Sequence, residues 1–125
     1  MDIETARQLC LSYPCSEESF PFDETTWTAK VGGRMFAVLP LEKADMLILK
    51  CDPEKAIELT ELYADIEPAW HFNKRYWIMI RFGGDVPDRL IASLIGHSYQ
   101  EVVKKLTKKL RTELGLEQFL NDAQQ

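Results

Sequence analysis

Residues 26–39 read TWTAKVGGRMFAVL, and they carry the clearest structural signal in the chain. Two runs rich in β-branched and aromatic residues flank the pair Gly32-Gly33. Adjacent glycines between two such runs predict a β-hairpin, because both central positions of a tight hairpin turn need positive φ. The stretch therefore predicts two antiparallel strands, over 26–31 and 34–39.

The turn also predicts which side chains of this hairpin share a face. A two-residue loop places Trp27 opposite Val38 and Ala29 opposite Phe36. We expect those four side chains on one apolar face. Lys30 is expected on the opposite face, because successive side chains alternate along a strand.

Outward from the hairpin, helix-like and strand-like segments are interspersed. Apolar spacing predicts helices over 3–13, after Asp52-Pro53 and over 87–112, and strands over 46–51 and 76–82. The order predicts an α+β fold, an antiparallel sheet with helices packed mainly on one face. We expect one domain over residues 1–113 and a C-terminal tail over 114–125.

Two of these helices carry detailed expectations. In the helix after Asp52, the buried stripe is expected to include Leu59 and Leu62. In the last helical region, Gly96-His97 is expected to produce two helices with a bend between them, the alternative being one kinked helix. The capping-box spacing of Ser98 and Glu101 favours a new helix start just after that point.

Composition excludes some classes of protein and leaves others open. The chain has 125 residues, a formal net charge of -5 and three cysteines. It lacks an apolar run long enough to cross a bilayer, and three scattered cysteines favour reduced thiols, so we expect a cytoplasmic protein without a membrane partner. Residues 69–112 hold nine basic and three acidic residues, which permits a local basic face or simply a dipolar protein.

The segment 70–77, WHFNKRYW, mixes aromatic rings with cations. Such a mixture is typical of a surface that stacks on flat groups and attracts negative charge. We assign Lys74, Arg75 and Trp77 to a candidate anion or nucleic-acid surface, with His71 and Asn73 as members of a pocket. The alternative is that one set of rings fills the core and the other is covered by a partner.

A second candidate surface lies in the last helical region. If residues 104–111 form one helix, their cations share an arc of about 160°. Those cations are Lys104, Lys105, Lys108, Lys109 and Arg111. They suit contact with phosphates, or equally a solvated helix end where cations complement the helix dipole.

Other chemistry has little support in the sequence. His71 and His97 lie far apart, and no His or Cys pair has metal-ligand spacing, so we predict no metal site. The standard nucleophile, phosphate-loop and dinucleotide motifs are missing. The alternative is a nucleophilic Cys51 that meets His71 or His97 in space. We therefore expect no enzymatic reaction and no cofactor.

Six segments, taken together in this order and spacing, resemble the MmcQ/YjbR family over about residues 1–113. They are Glu18-Ser19-Phe20-Pro21-Phe22, residues 30–37, Leu49-Lys50-Cys51-Asp52-Pro53, residues 71–77, Val86-Pro87-Asp88 and His97-Ser98-Tyr99. The resemblance implies a CyaY-like (frataxin-like) or double-wing fold in a small bacterial cytoplasmic protein, of a family usually labelled DNA-binding. Tyr76 departs from the family pattern, where a second histidine is common.

Charge and resemblance lead to one hypothesis with two alternatives. We expect a non-enzymatic protein that binds DNA through the two cationic surfaces. The first alternative is a module for a protein partner, a second copy or a small anion, using the strand face of Trp77, Met79 and Arg81. The second is frataxin-like metal handling. One broad basic surface would favour DNA, whereas a pocket where Asn73, Lys74 and His71 converge would favour a small ligand.

Overall fold

The computed structural model describes residues 1–43 and 45–118, which form a sheet with helices packed against one face. In chain order the elements are α1 (Ile3–Leu11), β1 (Ser16–Ser19), β2 (Thr26–Val31), β3 (Arg34–Pro40), β4 (Met46–Lys50), α2 (Pro53–Leu62), β5 (Ile66–Pro68), β6 (Trp77–Arg81), α3 (Asp88–Val103) and α4 (Lys108–Leu114). The strands form one sheet in the order β1-β2-β3-β4-β6-β5. Each pairing among the described strands is antiparallel.

The two faces of this sheet differ in what covers them. On one face, strand residues pack with buried residues of α1, α2 and α3, among them Cys10, Leu59 and Tyr99. The opposite face carries a smaller apolar cluster around Val38 and Ile48, which the 69–77 segment partly covers. The predicted α+β class, with an antiparallel sheet and helices on one face, is confirmed. We call the second face the open face.

The central hairpin forms where predicted, but its register shifts. Gly32 and Gly33 have φ of 59° and 81°, as the turn requires. Lys30 pairs with Met35, and the next pair is Ala29 with Ala37, so Phe36 is an extra residue in β3. The expected pairs beyond the turn are therefore wrong by one position. The bulge turns Val38 to the open face, while Phe36 lies in the helix-side core.

Helix α2 is capped as predicted but buries less than predicted. The Asp52 carboxylate accepts a hydrogen bond from the Lys55 N–H at 3.1 Å, and Pro53 occupies the first turn. Leu59 is buried, but Leu62 is 73% exposed, so its assignment to the buried stripe is wrong. The helix ends at Leu62. Tyr63 has an extended backbone conformation, and β5 begins at Ile66.

Helix α3 continues through Gly96-His97, so the predicted bend there is wrong. A Cβ at Gly96 would lie 2.6 Å from the Tyr13 hydroxyl, so this glycine permits close packing of α3 against the chain that follows α1. The break comes at residues 104–107 instead. There Thr107 caps α4, its side chain accepting a hydrogen bond from the Leu110 N–H at 3.1 Å.

Two short strands and the chain end complete the fold. The edge strands β1 and β5 were not predicted, and β1 carries the charged residues Glu17 and Glu18 at one edge of the sheet. Gly115 ends α4 with φ of 70°, and Leu116 is fully buried in the helix-side core. The predicted tail over 114–125 lies largely outside the described residues, and the domain boundary stays a prediction.

Candidate functional site

The 70–77 segment forms a compact loop between β5 and β6. Its turns are closed by backbone hydrogen bonds from Phe72 to Ala69 at 3.0 Å and from Tyr76 to Asn73 at 2.9 Å. The Asn73 side chain also accepts from the Arg75 N–H at 3.2 Å, a local Asx turn. Asn73 therefore shapes the loop with its polar atoms.

The loop's two cations rest on its aromatic rings. Lys74 Nζ lies 5.0 Å from the centroid of the Trp70 ring, which is 63% exposed. The Arg75 guanidinium carbon lies 5.7 Å from the Tyr76 ring centroid. Both cations line a groove that faces Glu54 at the start of α2. Cation–π contact holds these side chains in place, on a different side of the loop from Trp77.

Trp77 begins β6 and faces the open side of the sheet. Its ring centroid is 5.4 Å from that of Phe72, which in turn meets Phe22 edge-on at 6.5 Å. Trp77 lines a concave site of about 380 Å³ together with cations from three other strands, β2, β3 and β4. We call this site the cationic pocket, and its lining includes Phe22, Lys30, Arg34, Met35, Lys50 and Trp77.

Positive charge dominates the cationic pocket. Burial lowers the pKa of the half-buried Lys50 ammonium; nearby Lys105 and Arg34 lower it further, while Glu101 acts in the opposite direction. The protein thus holds several cations around one partly desolvated ammonium group. A bound anion would relieve their mutual repulsion, so the arrangement suits a phosphate or a similar group.

The C-terminal cations do not form the single predicted arc, because the break at 104–107 separates them. Lys104 pairs with Glu101 at 2.5 Å. Arg111 Nη1 donates to the carbonyls of Leu106 at 2.7 Å and Lys104 at 3.3 Å, so it closes the interhelical turn. Lys105 is exposed and acts on Lys50, as described above.

The remaining two cations of that set, Lys108 and Lys109, are exposed in the first turn of α4. Lys30, Arg34 and Lys50 were not predicted from the sequence as members of a site. The position of Lys30 could have been found from the sequence, because alternation along the hairpin strand places its side chain on the face opposite the apolar one. Arg34 lies in β3 and Lys50 in β4, and only the pairing of these two strands brings the residues together.

His71 and Asn73 do not meet in one pocket. His71 is exposed and lies at the wall of a second cavity of about 330 Å³ on the open face, which we call the apolar pocket. The floor of the apolar pocket includes Val38, Ile48 and Met79. Asn73 instead bonds within its own loop.

His97 and Cys51 lie close to the start of α2. His97 Nε2 accepts a hydrogen bond from the Asp52 N–H at 3.1 Å. Burial raises the pKa of the Cys51 thiol to about 12, so this thiol is protonated at neutral pH. Lys55 acts in the opposite direction but does not offset burial, so the thiol of Cys51 is not activated as a nucleophile. Within residues 1–43 and 45–118, no three potential His, Cys, Asp or Glu ligands lie together.

The His97 hydrogen bond predicts a pH-dependent stability. Burial lowers the pKa of His97, and so do Lys55 and Lys104, against the opposing effect of Glu101 and Asp52. The unfolded state binds the proton more readily, so stability is complete above the unfolded pKa of about 6.5 and falls as pH drops below it. Urea unfolding at pH 7.5 and 5.5 should show this loss, because a protonated Nε2 cannot accept.

Two variants test the assignment to His97. His97→Gln keeps an acceptor without a titrating group, so it should flatten the pH difference. His71→Gln changes an exposed histidine and should leave that difference in place. An unchanged pH difference in His97→Gln would show that other groups cause it.

The described elements define a small α+β protein built on an open antiparallel sheet. The chain belongs to the YjbR family, whose model matches residues 11–101. This confirms the resemblance seen in the sequence. Across the described helices, none combines the length and apolar character required to span a membrane.

Relatives and solved structures agree with this membership. The chain is 34% identical over 107 residues to the uncharacterized protein YbdF of Escherichia coli O157:H7, covering 85% of this chain and 88% of the relative. It is 32% identical over 112 residues to the uncharacterized protein YjbR of Escherichia coli K12, covering 89% and 95%. These names bring no activity with them.

The fold matches solved structures as well. The crystal structure of Deinococcus radiodurans protein DR2400, a DUF419 domain, superposes with a TM-score of 0.86 at 39% identity, over 91% of this chain and 88% of that one. A Pseudomonas syringae protein matches with a TM-score of 0.67 at 22% identity, over 81% and 98%, which supports the fold alone. Function must therefore be argued from the site.

Proposed function

We propose that this chain is a non-enzymatic binding protein for single-stranded DNA, which it holds at the cationic pocket. One observation carries the proposal: Lys30, Arg34 and Lys50 line one concave site together with the rings of Trp77 and Phe22. Cations track a phosphate backbone, and rings stack on bases of any sequence. The combination matches the two parts of a single strand.

The acidic net charge of the chain restricts the proposed DNA binding to the cationic pocket and the cations beside it. The net charge of -5 repels nucleic acid overall, so affinity depends on the few cations at the site. Lys105 extends the cationic pocket toward the end of α3, and Lys108 and Lys109 add exposed cations in α4. Lys74 and Arg75 line the neighbouring groove beside Glu54, so they lie outside the proposed binding site.

Fluorescence anisotropy with a labelled single-stranded oligonucleotide at low salt tests the proposal. Affinity is expected to fall steeply with rising salt, because phosphate contacts release counterions. Arg34→Glu should weaken binding by roughly tenfold or more, since it replaces attraction by repulsion at an exposed position of the pocket. Double-stranded DNA should bind more weakly, because its bases are already stacked.

Arg89→Glu is the matched control. It makes the same charge change near the first turn of α3, about 22 Å along the helix from Lys104. It should leave affinity nearly unchanged. No binding at low salt, or equal losses in the two variants, would refute the proposed site.

A small phosphate-bearing ligand is the second candidate, because the cationic pocket is small, with a volume of about 380 Å³. Competition separates the two candidates. If a mononucleotide displaces the oligonucleotide at a concentration near its own Kd, and longer strands bind no tighter, the site serves a small anion. If affinity grows with strand length, the site serves DNA. A protein partner or second copy on the Trp77, Met79 and Arg81 face stays a prediction.

A further inference from the structure

We propose that the apolar pocket binds an amphipathic monocarboxylate, a molecule with a compact apolar body and one anionic head. This site lies on the open face but is distinct from the cationic pocket, and it does not depend on the DNA-binding proposal. Its volume of about 330 Å³ is at the lower end of the range for small-molecule sites.

The floor of the apolar pocket is a patch of sheet made by three neighbouring strands. Val38 of β3 pairs with Ile48 of β4, and Ile48 pairs with Met79 of β6, so the three side chains form one row across the sheet. Met46 of β4 continues the floor toward the end of the sheet. Val38, Ile48 and Met46 have little contact with water, which makes the floor suited to an apolar body.

The loop after β5 supplies the wall. Ala69 is buried against the floor, and the neighbouring Trp70, His71 and Phe72 complete the lining on that side. Methionine side chains adapt their shape to irregular ligands, and two of them lie in the floor. The pocket therefore favours a flexible or irregular apolar body over one rigid shape.

The cationic and imidazole side chains of the lining determine the kind of head group. Lys43, His71 and Arg81 line the pocket, and none of its described lining residues is acidic. Arg81 Nη2 is 3.5 Å from Glu67, but both side chains are more than two-fifths exposed, so this pair is weak and exchangeable. A guanidinium group binds a carboxylate through two parallel hydrogen bonds, so a carboxylate head complements this lining best.

Methionine methyl NMR tests the proposal with controls inside the chain. The four methionines are Met1, Met35, Met46 and Met79. Met46 and Met79 line the apolar pocket, whereas Met35 lines the cationic pocket. Titration of ¹³C-methyl-labelled protein with sodium octanoate should shift Met46 and Met79 and leave Met1 and Met35 in place.

Two comparisons test the charged head. Octanamide has a similar apolar body without the charge and should bind about tenfold more weakly than octanoate. Arg81→Gln should weaken octanoate binding by a similar factor, while Arg89→Gln, the same change on α3, should not. Equal affinity for octanoate and octanamide, or for Arg81→Gln and the parent, would overturn the proposal. So would shifts of all four methyl groups together, or of none.

The same spectra keep the two proposals separate. Single-stranded DNA at the cationic pocket should shift Met35, with little change at Met46. Octanoate should do the reverse. Either proposal can therefore fail while the other stands.

Discussion

Replacement of Tyr99 by alanine is expected to lower the free energy of unfolding by about 3–5 kcal/mol, the range for loss of a buried aromatic side chain. Tyr99 is fully buried in α3. Its ring stacks on Tyr13 at a centroid distance of 4.8 Å and meets Phe36 edge-on at 5.3 Å. It thus joins the chain after α1 to the bulge of β3, and alanine would leave a cavity between them.

Tyr99→Phe separates the ring from the hydroxyl. The Tyr99 hydroxyl donates to the Pro14 carbonyl at 2.6 Å, so phenylalanine should cost about 1 kcal/mol, the usual net value of one hydrogen bond. Urea unfolding followed by tryptophan fluorescence measures both variants. If Tyr99→Ala lies within 1 kcal/mol of the parent, the ring does not support this junction.

Ser98→Ala is expected to cost about 2–4 kcal/mol, a large effect for the loss of one oxygen atom. The buried Ser98 hydroxyl donates to the Phe36 carbonyl at 2.5 Å and accepts from the Lys50 N–H at 2.9 Å. Alanine would leave both backbone groups without this partner, and each unsatisfied buried group costs about 1–3 kcal/mol. Ser98 therefore stabilises the bulge and the end of β4, which carries Lys50.

Ser93→Ala is the control for this prediction, because Ser93 is an exposed serine on the same helix. Its replacement should change the free energy of unfolding by no more than about 0.5 kcal/mol. The same unfolding measurement applies. A loss in Ser98→Ala no larger than that in Ser93→Ala would mean that the two backbone groups find other partners.

The wrong expectations about the fold share one physical cause. The chain around Gly96-His97 looks like a helix break, because glycine is a poor helix former and Ser98 resembles a cap. In the structure, Gly96 packs closely against Tyr13, and the Ser98 hydroxyl donates a hydrogen bond to the sheet. Both contacts stabilise a continuous helix. Tertiary contacts override local helix propensity where they stabilise a different conformation.

The candidate site was only partly predictable for the same reason. Trp77 stood out by composition, and the structure places it in the cationic pocket. Its charged neighbours there come from other strands, while Lys74 and Arg75, adjacent in sequence, line a different groove. Closeness along the chain was a poor guide, because a loop can direct neighbouring side chains to different sides.

The sequence by itself determined the glycine turn, the cap of α2, the antiparallel α+β class and the family. Those features depend on local backbone conformation, on apolar periodicity and on motifs read in order. Only the tertiary structure decided the bulge at Phe36, the break before α4 and the meeting of Arg34, Lys50 and Lys105. Each of these depends on which distant groups pack or pair together, and the free energy of such contacts exists only in the folded chain.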